Sequence, residues 1–465
     1  MSELDLPPER MRAMGYRVVD HLVERIARLD SGPPWRGATR EEMRRRLSPA
    51  DLDTPAAFDA LLEELFQQVL PFGVSTDHPR FFAFIPSCPT WPGILGDLVA
   101  AGSGIYPGTW LGSAGYSALE LEVLAWFKDW IGYPREAAGL LMSGGSMANL
   151  AALVAAREAR LGREPGAGVI YASAEAHSSV IRAARILGFP DVHIRVLEPD
   201  ADDRLAPPAL AAAIAEDRAR GLRPFFVAAA AGSTSTGAVD PLEELAAVCE
   251  GEGLWLHVDA AYGGFAVLSA AGRAVMAGIE RADSVTLDPH KWLYQPFEAG
   301  CLLVRRGREL VDAFRVAGTY LQDTALAESA APDDGEVNFG DRGPQLTRSA
   351  RALKIWLSVR FHGLDRIRKA IEAAMALAER AEVRIRASGD LELVTPARLG
   401  VVCFRSGRGE AEDAARIRRL LESGTGMVSS TRIRGEYVMR LCILNHRSRW
   451  EDVEAVLSDL ERPVP

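Results

Sequence analysis

Seven short apolar runs, spaced by stretches long enough for a helix, limit what this chain can fold into more than any other feature. They are Leu140–Met142, Val169–Ala172, Val192–Leu197, Phe225–Ala231, Leu254–Val258, Val285–Leu287 and Cys301–Val304. Most lack the alternating polar positions of a half-solvated strand, so both faces must be covered. Helical spacing recurs nearby, in Ser117–Ile131, His177–Leu187, Pro208–Arg220 and Pro241–Gly251. Buried strands alternating with crossover helices predict an α/β fold with a mostly parallel central sheet across roughly residues 100–310.

The flanks differ from this core. Met11, Met14, Val18, Leu22 and Ile26 fall at helical spacing, and a second helix is expected over Pro55–Val69, giving a helical N-terminal lobe over residues 1–92. Separate helices cannot bury their apolar faces alone, so the lobe must lie against other parts of the protein or a second subunit. The large α/β domain is expected over residues 93–350 and a small α+β C-terminal domain over 351–465, entered through a long helix from Leu346. Its expected strands are Leu391–Thr395, Val401–Phe404 and Tyr437–Ile443; its helices are Glu412–Leu421 and Trp450–Leu460. Ala327–Gly343 is polar and too long for a simple connection, so a mobile or functional loop is expected there.

At 465 residues with 48% hydrophobic and 25% charged side chains, the chain can bury a large core and shows no disordered or low-complexity bias. Its net charge of -10 excludes a general affinity for nucleic acid. The cluster Arg44, Arg45 and Arg46 is interleaved with Glu41, Glu42 and Asp51, as on a solvated helix face. Glu3, Asp5, Glu9 and Arg10 precede any apolar run, the wrong order for a secretory signal, and no run reaches membrane-spanning length. A cytoplasmic protein with no membrane partner is expected. The five cysteines are odd in number and widely spaced, supporting neither a disulfide framework nor a metal site.

Several stretches carry chemistry-bearing residues at the ends of the apolar runs. Lys291, in Asp288-Pro-His-Lys-Trp292, follows the run Val285–Leu287. A lysine drawn out of water loses affinity for its proton and can attack a carbonyl; the plain alternative is a loop lysine whose stem covers Trp292. Ser143-Gly-Gly-Ser146 lies between a strand and a helix, where free backbone amides make a cradle for phosphate. It also approaches a hydrolase elbow with Ser146 as nucleophile, although Ala148 stands where that pattern needs glycine. Asp259 ends the run Leu254–Val258, where a carboxylate needs a cation partner or caps the next segment. His177 opens a helix after a strand, placed to stack on a flat heteroaromatic ring or to serve structure alone. All lie at the C-terminal ends of strands, where open α/β sheets bind ligands. A phosphate cradle, a stacking imidazole, an acid for a ring nitrogen and a Schiff-base lysine together meet the needs of pyridoxal phosphate.

The ordered motifs Ala-His-Ser-Ser179, His-Val-Asp-Ala-Ala-Tyr262, Asp-Pro-His-Lys-Trp292 and Arg-Leu-Cys-Ile-Leu-Asn-His446 resemble those of the group II pyridoxal-phosphate-dependent amino-acid decarboxylases, most like the aromatic-L-amino-acid decarboxylases. The resemblance implies the fold type I transferase fold and a homodimer with active sites at its interface. It implies that Lys291 holds the cofactor, Asp259 pairs with the ring nitrogen, His177 and Ala261 lie on opposite ring faces, and Gly145 and Ser146 bind phosphate near His290. Thr234 matches a position beside the cofactor, and Tyr320 the loop tyrosine that returns a proton to the substrate carbon. Asp288 stands where the animal enzymes of the family have an asparagine that donates to phosphate, so its ionised carboxylate is expected to avoid that group.

An uncharged pocket wall is expected from Phe81, Phe84, Ile85, Pro86 and Trp91, with Tyr106 or Trp110 from the partner, and it suits an aromatic L-amino acid. The alternatives are decarboxylation of an aliphatic or basic amino acid such as 2,4-diaminobutyrate, an aromatic aldehyde synthase, a serine hydrolase using Ser146, and a dimeric binding protein without catalysis.

Overall fold

The computed structural model describes residues 2, 4–47, 52–163, 166–316, 318–324 and 333–463, without the side chains of residues 319–321. Its strands in chain order are β1 (Phe81–Phe82), β2 (Ala138–Met142), β3 (Gly168–Ser173), β4 (Ile194–Leu197), β5 (Arg223–Ala230), β6 (Trp255–Asp259), β7 (Ser284–Leu287), β8 (Gly300–Val304), β9 (Glu392–Arg398), β10 (Val401–Arg405), β11 (Met427–Ile433) and β12 (Glu436–Cys442). A seven-stranded sheet runs β2-β8-β7-β6-β5-β3-β4, and a five-stranded one β1-β11-β12-β10-β9.

The seven expected runs are the seven strands of the large sheet, and β8 alone runs against the rest. β8 follows β7 without a crossover helix, so the chain turns back at the C-terminal edge of the sheet through residues 288–299. Trp292, Leu293 and Tyr294 are buried in that return, and Trp292 stacks on Tyr262 with ring centroids 5.3 Å apart. The Lys291 loop is therefore anchored by aromatic burial, a contribution of roughly 1.5–3 kcal/mol for each large apolar side chain. The other departures are at edges. Val192 lies in the 3-10 turn Asp191–His193 and is exposed, because only Ile194–Leu197 pairs with β3.

Helices Ser178–Ile186, Pro207–Ala219 and Leu242–Glu252 cover the sheet close to the expected limits. The helix expected over Pro55–Val69 is α-helical over Phe58–Glu64 and widens to a π turn over Leu65–Val69. The helix expected from Leu346 begins at Arg351 and ends at His362, a second running Leu364–Arg386. Residues before Arg351 are held out of helix because Arg348 reaches into the core to Glu120, at 2.6 Å, and donates to the Leu141 carbonyl at 2.7 Å. Unforeseen is the helix Trp91–Gly102, capped by Thr90 with proline in its first turn.

The loop expected over Ala327–Gly343 lies partly outside the described residues. Its described end is tied down: Asp333 meets Lys128 at 2.7 Å, and Arg342 is buried and donates to the Gly139 carbonyl. In the smaller sheet β11 was not foreseen, and it pairs in parallel with β1 through Phe81 with Met427 and Phe82 with Val428.

Candidate active site

β2, β5, β6 and β7 all deliver their last residues to one edge of the large sheet, where a cavity of about 390 Å³ opens. Its wall includes Gly145, Ser146, His177, Thr234, Asp259, Ala261, His290 and Lys291. Most of these were singled out from the sequence itself, Thr234 and Ala261 only through the family resemblance, and the fold brings them together. Phe84, Ile85, Pro86, Trp91 and Trp110 do not line this cavity, and neither do Phe81 and Tyr106. The Tyr320 side chain lies outside the described residues.

The Lys291 Nζ lies 3.1 Å from Asp288 Oδ2, and His290 Nε2 lies 3.7 Å from the same oxygen. Asp288 is only 2% exposed, and its other oxygen, Oδ1, has no hydrogen-bond partner among the described residues. Burial pulls the His290 pKa down, offset in part by Asp288. Its Nδ1 donates to the Ala299 carbonyl at 2.6 Å, which leaves Nε2 without a proton and facing the carboxylate.

Helix Gly145–Leu161 starts at the cavity, and the first amides of a helix have no intrahelical acceptor. The Met147 and Ala148 amides fold back to the Gly144 carbonyl, leaving those of Gly145 and Ser146 for a ligand. A Cβ at Gly145 would sit 3.0 Å from the Ala261 Cβ and 3.1 Å from Asp288 Oδ2; one at Gly144 would sit 3.3 Å from His290 Cε1. Small residues thus keep a cradle open that fits a phosphate group at one end of a flat ring. Ser146 has no hydrogen-bonded histidine among the described residues, so the elbow geometry of a hydrolase is not assembled around it.

Asp259 ends β6 half-buried. Its Oδ1 accepts from the Ala261 amide at 3.2 Å, the capping role, while Oδ2 accepts from Asn149 Nδ2 at 2.7 Å. Asn149 also reaches Ser179, His257 and Thr286. Asn149 and His257 were not singled out from the sequence. The only signal was their place inside motifs read for other residues. The arrangement can hold a flat cationic ring, with a carboxylate at one end, a phosphate cradle at the other and a lysine within reach.

The pyridoxal-dependent decarboxylase conserved domain matches residues 41–407. This chain belongs to that family. The chain is 39% identical over 470 residues to the aromatic-L-amino-acid decarboxylase of Bacillus atrophaeus, covering 99% of this chain and 97% of that one. It is 35% identical to a tyrosine decarboxylase of Oryza sativa subsp. japonica over 95% of this chain and 88% of the relative. The crystal structure of Oryza sativa TDC with PLP and tryptamine superposes with a TM-score of 0.91 at 28% identity, covering 99% of this chain and 98% of that one. The decarboxylase is a pyridoxal-phosphate-dependent carboxy-lyase of fold type I. Its Gly145–Ser146 turn, Asp259 and Lys291 line one cavity.

Proposed function

We propose that the enzyme decarboxylates an aromatic L-amino acid, of the tryptophan, tyrosine, phenylalanine or dopa kind, to its amine and carbon dioxide. The observation that carries this reading is the convergence of Lys291, Asp259, His177 and the Gly145–Ser146 turn on one cavity. The aromatic class is supported by the names of the two curated relatives. When bound, pyridoxal phosphate supplies an electron sink for the pair left behind as carbon dioxide departs.

The protein's part is binding, orientation and proton placement. Lys291, released from its ion pair with Asp288, would hold the cofactor covalently. Asp259, fixed by Asn149 and the Ala261 amide, would keep a proton on the ring nitrogen. His177 would cover one ring face and Ala261 the other, both lining the cavity. Gly145 and Ser146 would hold the phosphate end, with His290 close by and Thr234 beside the cofactor. Asp288, paired with Lys291 before the cofactor is held, keeps its ionised carboxylate away from the phosphate, and Tyr320 would return a proton to the substrate carbon.

The aromatic wall of Phe84, Ile85, Pro86, Trp91 and Trp110 is completed in a homodimer, with the active sites at its interface. Helix Pro8–Ala27 has no buried residue and exposes Met11, Tyr16 and Val23, and Phe84 and Leu111 are exposed as well, which supports a second copy as their cover. The divisions at residues 92 and 350 belong to the same reading. Five unpaired, buried cysteines suit a reducing compartment and support a cytoplasmic location.

The test is amine release from a panel of L-amino acids with added cofactor, with the sedimentation of the same protein alongside. Aromatic substrates should yield amines from a dimer. Preference for 2,4-diaminobutyrate or glutamate would overturn the aromatic assignment, aldehyde in place of amine would make the protein an aldehyde synthase, and an active monomer would overturn the shared site.

A further inference from the structure

We infer that Asn149 is the positioning residue of this site: its amide is the hub of a one-way hydrogen-bond relay that fixes both the Asp259 carboxylate and the tautomer of His177. The inference rests on the assignment of Asp259 and His177 to the cofactor ring.

The direction of the relay follows from donor counting at its two ends. At one end the Asp259 carboxylate accepts only, so the Asn149 atom 2.7 Å from its Oδ2 must be Nδ2. That choice turns Asn149 Oδ1 toward Thr286 Oγ1 at 2.8 Å and His257 Nε2 at 3.0 Å, and both of these must donate. At the other end the Trp255 indole can only donate, and it does so to Ser284 Oγ at 2.8 Å. Ser284 then has its own proton for His257 Nδ1, also at 2.8 Å. The two ends demand the same ring: His257 with its proton on Nε2 and a bare Nδ1.

His257 is fully buried, and burial draws its pKa down to about 4, with Asp259 opposing, so the ring is neutral at neutral pH as the relay requires. The second Asn149 N–H goes to Ser179 Oγ at 2.9 Å, and the Ser179 hydroxyl donates in turn to His177 Nδ1 at 2.7 Å. The Ser179 backbone amide approaches the same nitrogen at 3.3 Å. His177 Nδ1 is therefore an acceptor twice over, and the proton of a neutral His177 ring sits on Nε2, in a side chain that lines the cavity.

Asn149, Asp259, His257, Thr286 and Ser284 come from helix Gly145–Leu161, β6 and β7, where the register sets His257 opposite Ser284 and Asp259 opposite Thr286. One amide on the covering helix thus reads the alignment of two strands and transmits it to the two groups that hold the ring. An aspartate at this position would keep the size but replace both donors with acceptors, setting a second carboxylate against Asp259.

The test uses nitrogen-15 histidine NMR of the cofactor-free full chain, with His177 and His257 assigned through His177→Gln and His257→Gln, and cofactor affinity of each variant by fluorescence titration. In the wild type both rings should show the Nε2–H tautomer. Asn149→Ala should mix the tautomers of His177 and weaken cofactor binding about 10- to 100-fold, the value of one hydrogen bond to a charged group. Asn149→Asp should bind more weakly still. Ser179→Ala should disturb His177 with a smaller loss of affinity, and it decides the matter with the wild-type spectra if Asn149→Ala does not fold. A wild-type His257 protonated on Nδ1, a His177 signal unmoved in the folded variants, or Asn149→Ala affinity within twofold of wild type would overturn the inference. A wild type that binds no cofactor would instead overturn the proposed function, while the tautomers of the cofactor-free protein would still be read.

Discussion

With its ammonium 3.1 Å from Asp288, Lys291 is stored as an ion pair, and it must lose a proton before its nitrogen can attack. Replacement of Lys291 by alanine should abolish the visible absorbance of the bound cofactor and reduce amine release about a thousandfold or more, measured by spectroscopy and single-turnover assay. Tyr320→Phe should lower the amine yield about 10²- to 10⁴-fold, the range for a lost general acid, with aldehyde rising in its place in the product assay. Lys291, Asp259 and His177 were legible because each stands beside a strand or helix end with chemistry unlike its neighbours. Asn149 and His257 were not. Their value depends on which helix residue faces which strand residue across the sheet, and no periodicity in one segment encodes a meeting with another.

Packing between elements sets the shape of the cradle. Gly300 at the start of β8 lies so close to Gly144 that a Cβ there would come within 2.4 Å of the Gly144 Cα. Gly300→Ala should therefore cost about 1–3 kcal/mol of stability and loosen cofactor binding together, as read by denaturant unfolding and by titration. Arg348 and Glu120 form a buried pair that also bonds both polar groups of Leu141, joining β2 to helix Trp110–Ile131. Arg348→Met should leave that carboxylate uncompensated and destabilise the fold by about 3–5 kcal/mol in the same unfolding experiment. The central strands were legible because burial on both faces makes them continuous apolar runs. The helix Trp91–Gly102 was obscured by Pro92, Gly93 and Gly96, although Thr90 followed by a first-turn proline is a start signal. Gly96 is there because a Cβ would meet the Lys354 Cα at 2.5 Å, a helix contact invisible in sequence. β11 escaped notice because Met427–Ile433 places four polar residues, none of them buried, between the buried Val428 and Ile433, and its partner β1 is two residues long.

The whole molecule should weaken in mild acid. Burial lowers His257 from the ordinary 6.5 to about 4 and His446 to about 3. An unfolded chain binds protons at these histidines that the folded chain refuses, so their contribution is intact above pH 6.5 and is lost as the pH falls through the folded values. For His257 alone the loss approaches about 3 kcal/mol. Asp240, raised to about 6 by burial, acts in the opposite sense, since the folded chain takes up its proton first. The two histidines outweigh it. Unfolding midpoints measured from pH 7 to pH 4 should fall, and His257→Gln should flatten that slope; a midpoint independent of pH would count against buried neutral histidines.

The parallel pairing of Phe81 and Phe82 with Met427 and Val428 also orders events during synthesis. The Asn445 side chain bonds the His78 carbonyl and Ser448 the Pro79 carbonyl, so the segment around residue 80 is clasped by residues made near the end of translation. At about 5–20 residues per second, the ribosome leaves this phenylalanine pair waiting about 20–70 s for its partner strand. All seven strands of the large sheet emerge within that interval. A nascent chain therefore can complete its catalytic scaffold while still presenting an unpaired aromatic edge, and the interval is a natural point of engagement for a chaperone.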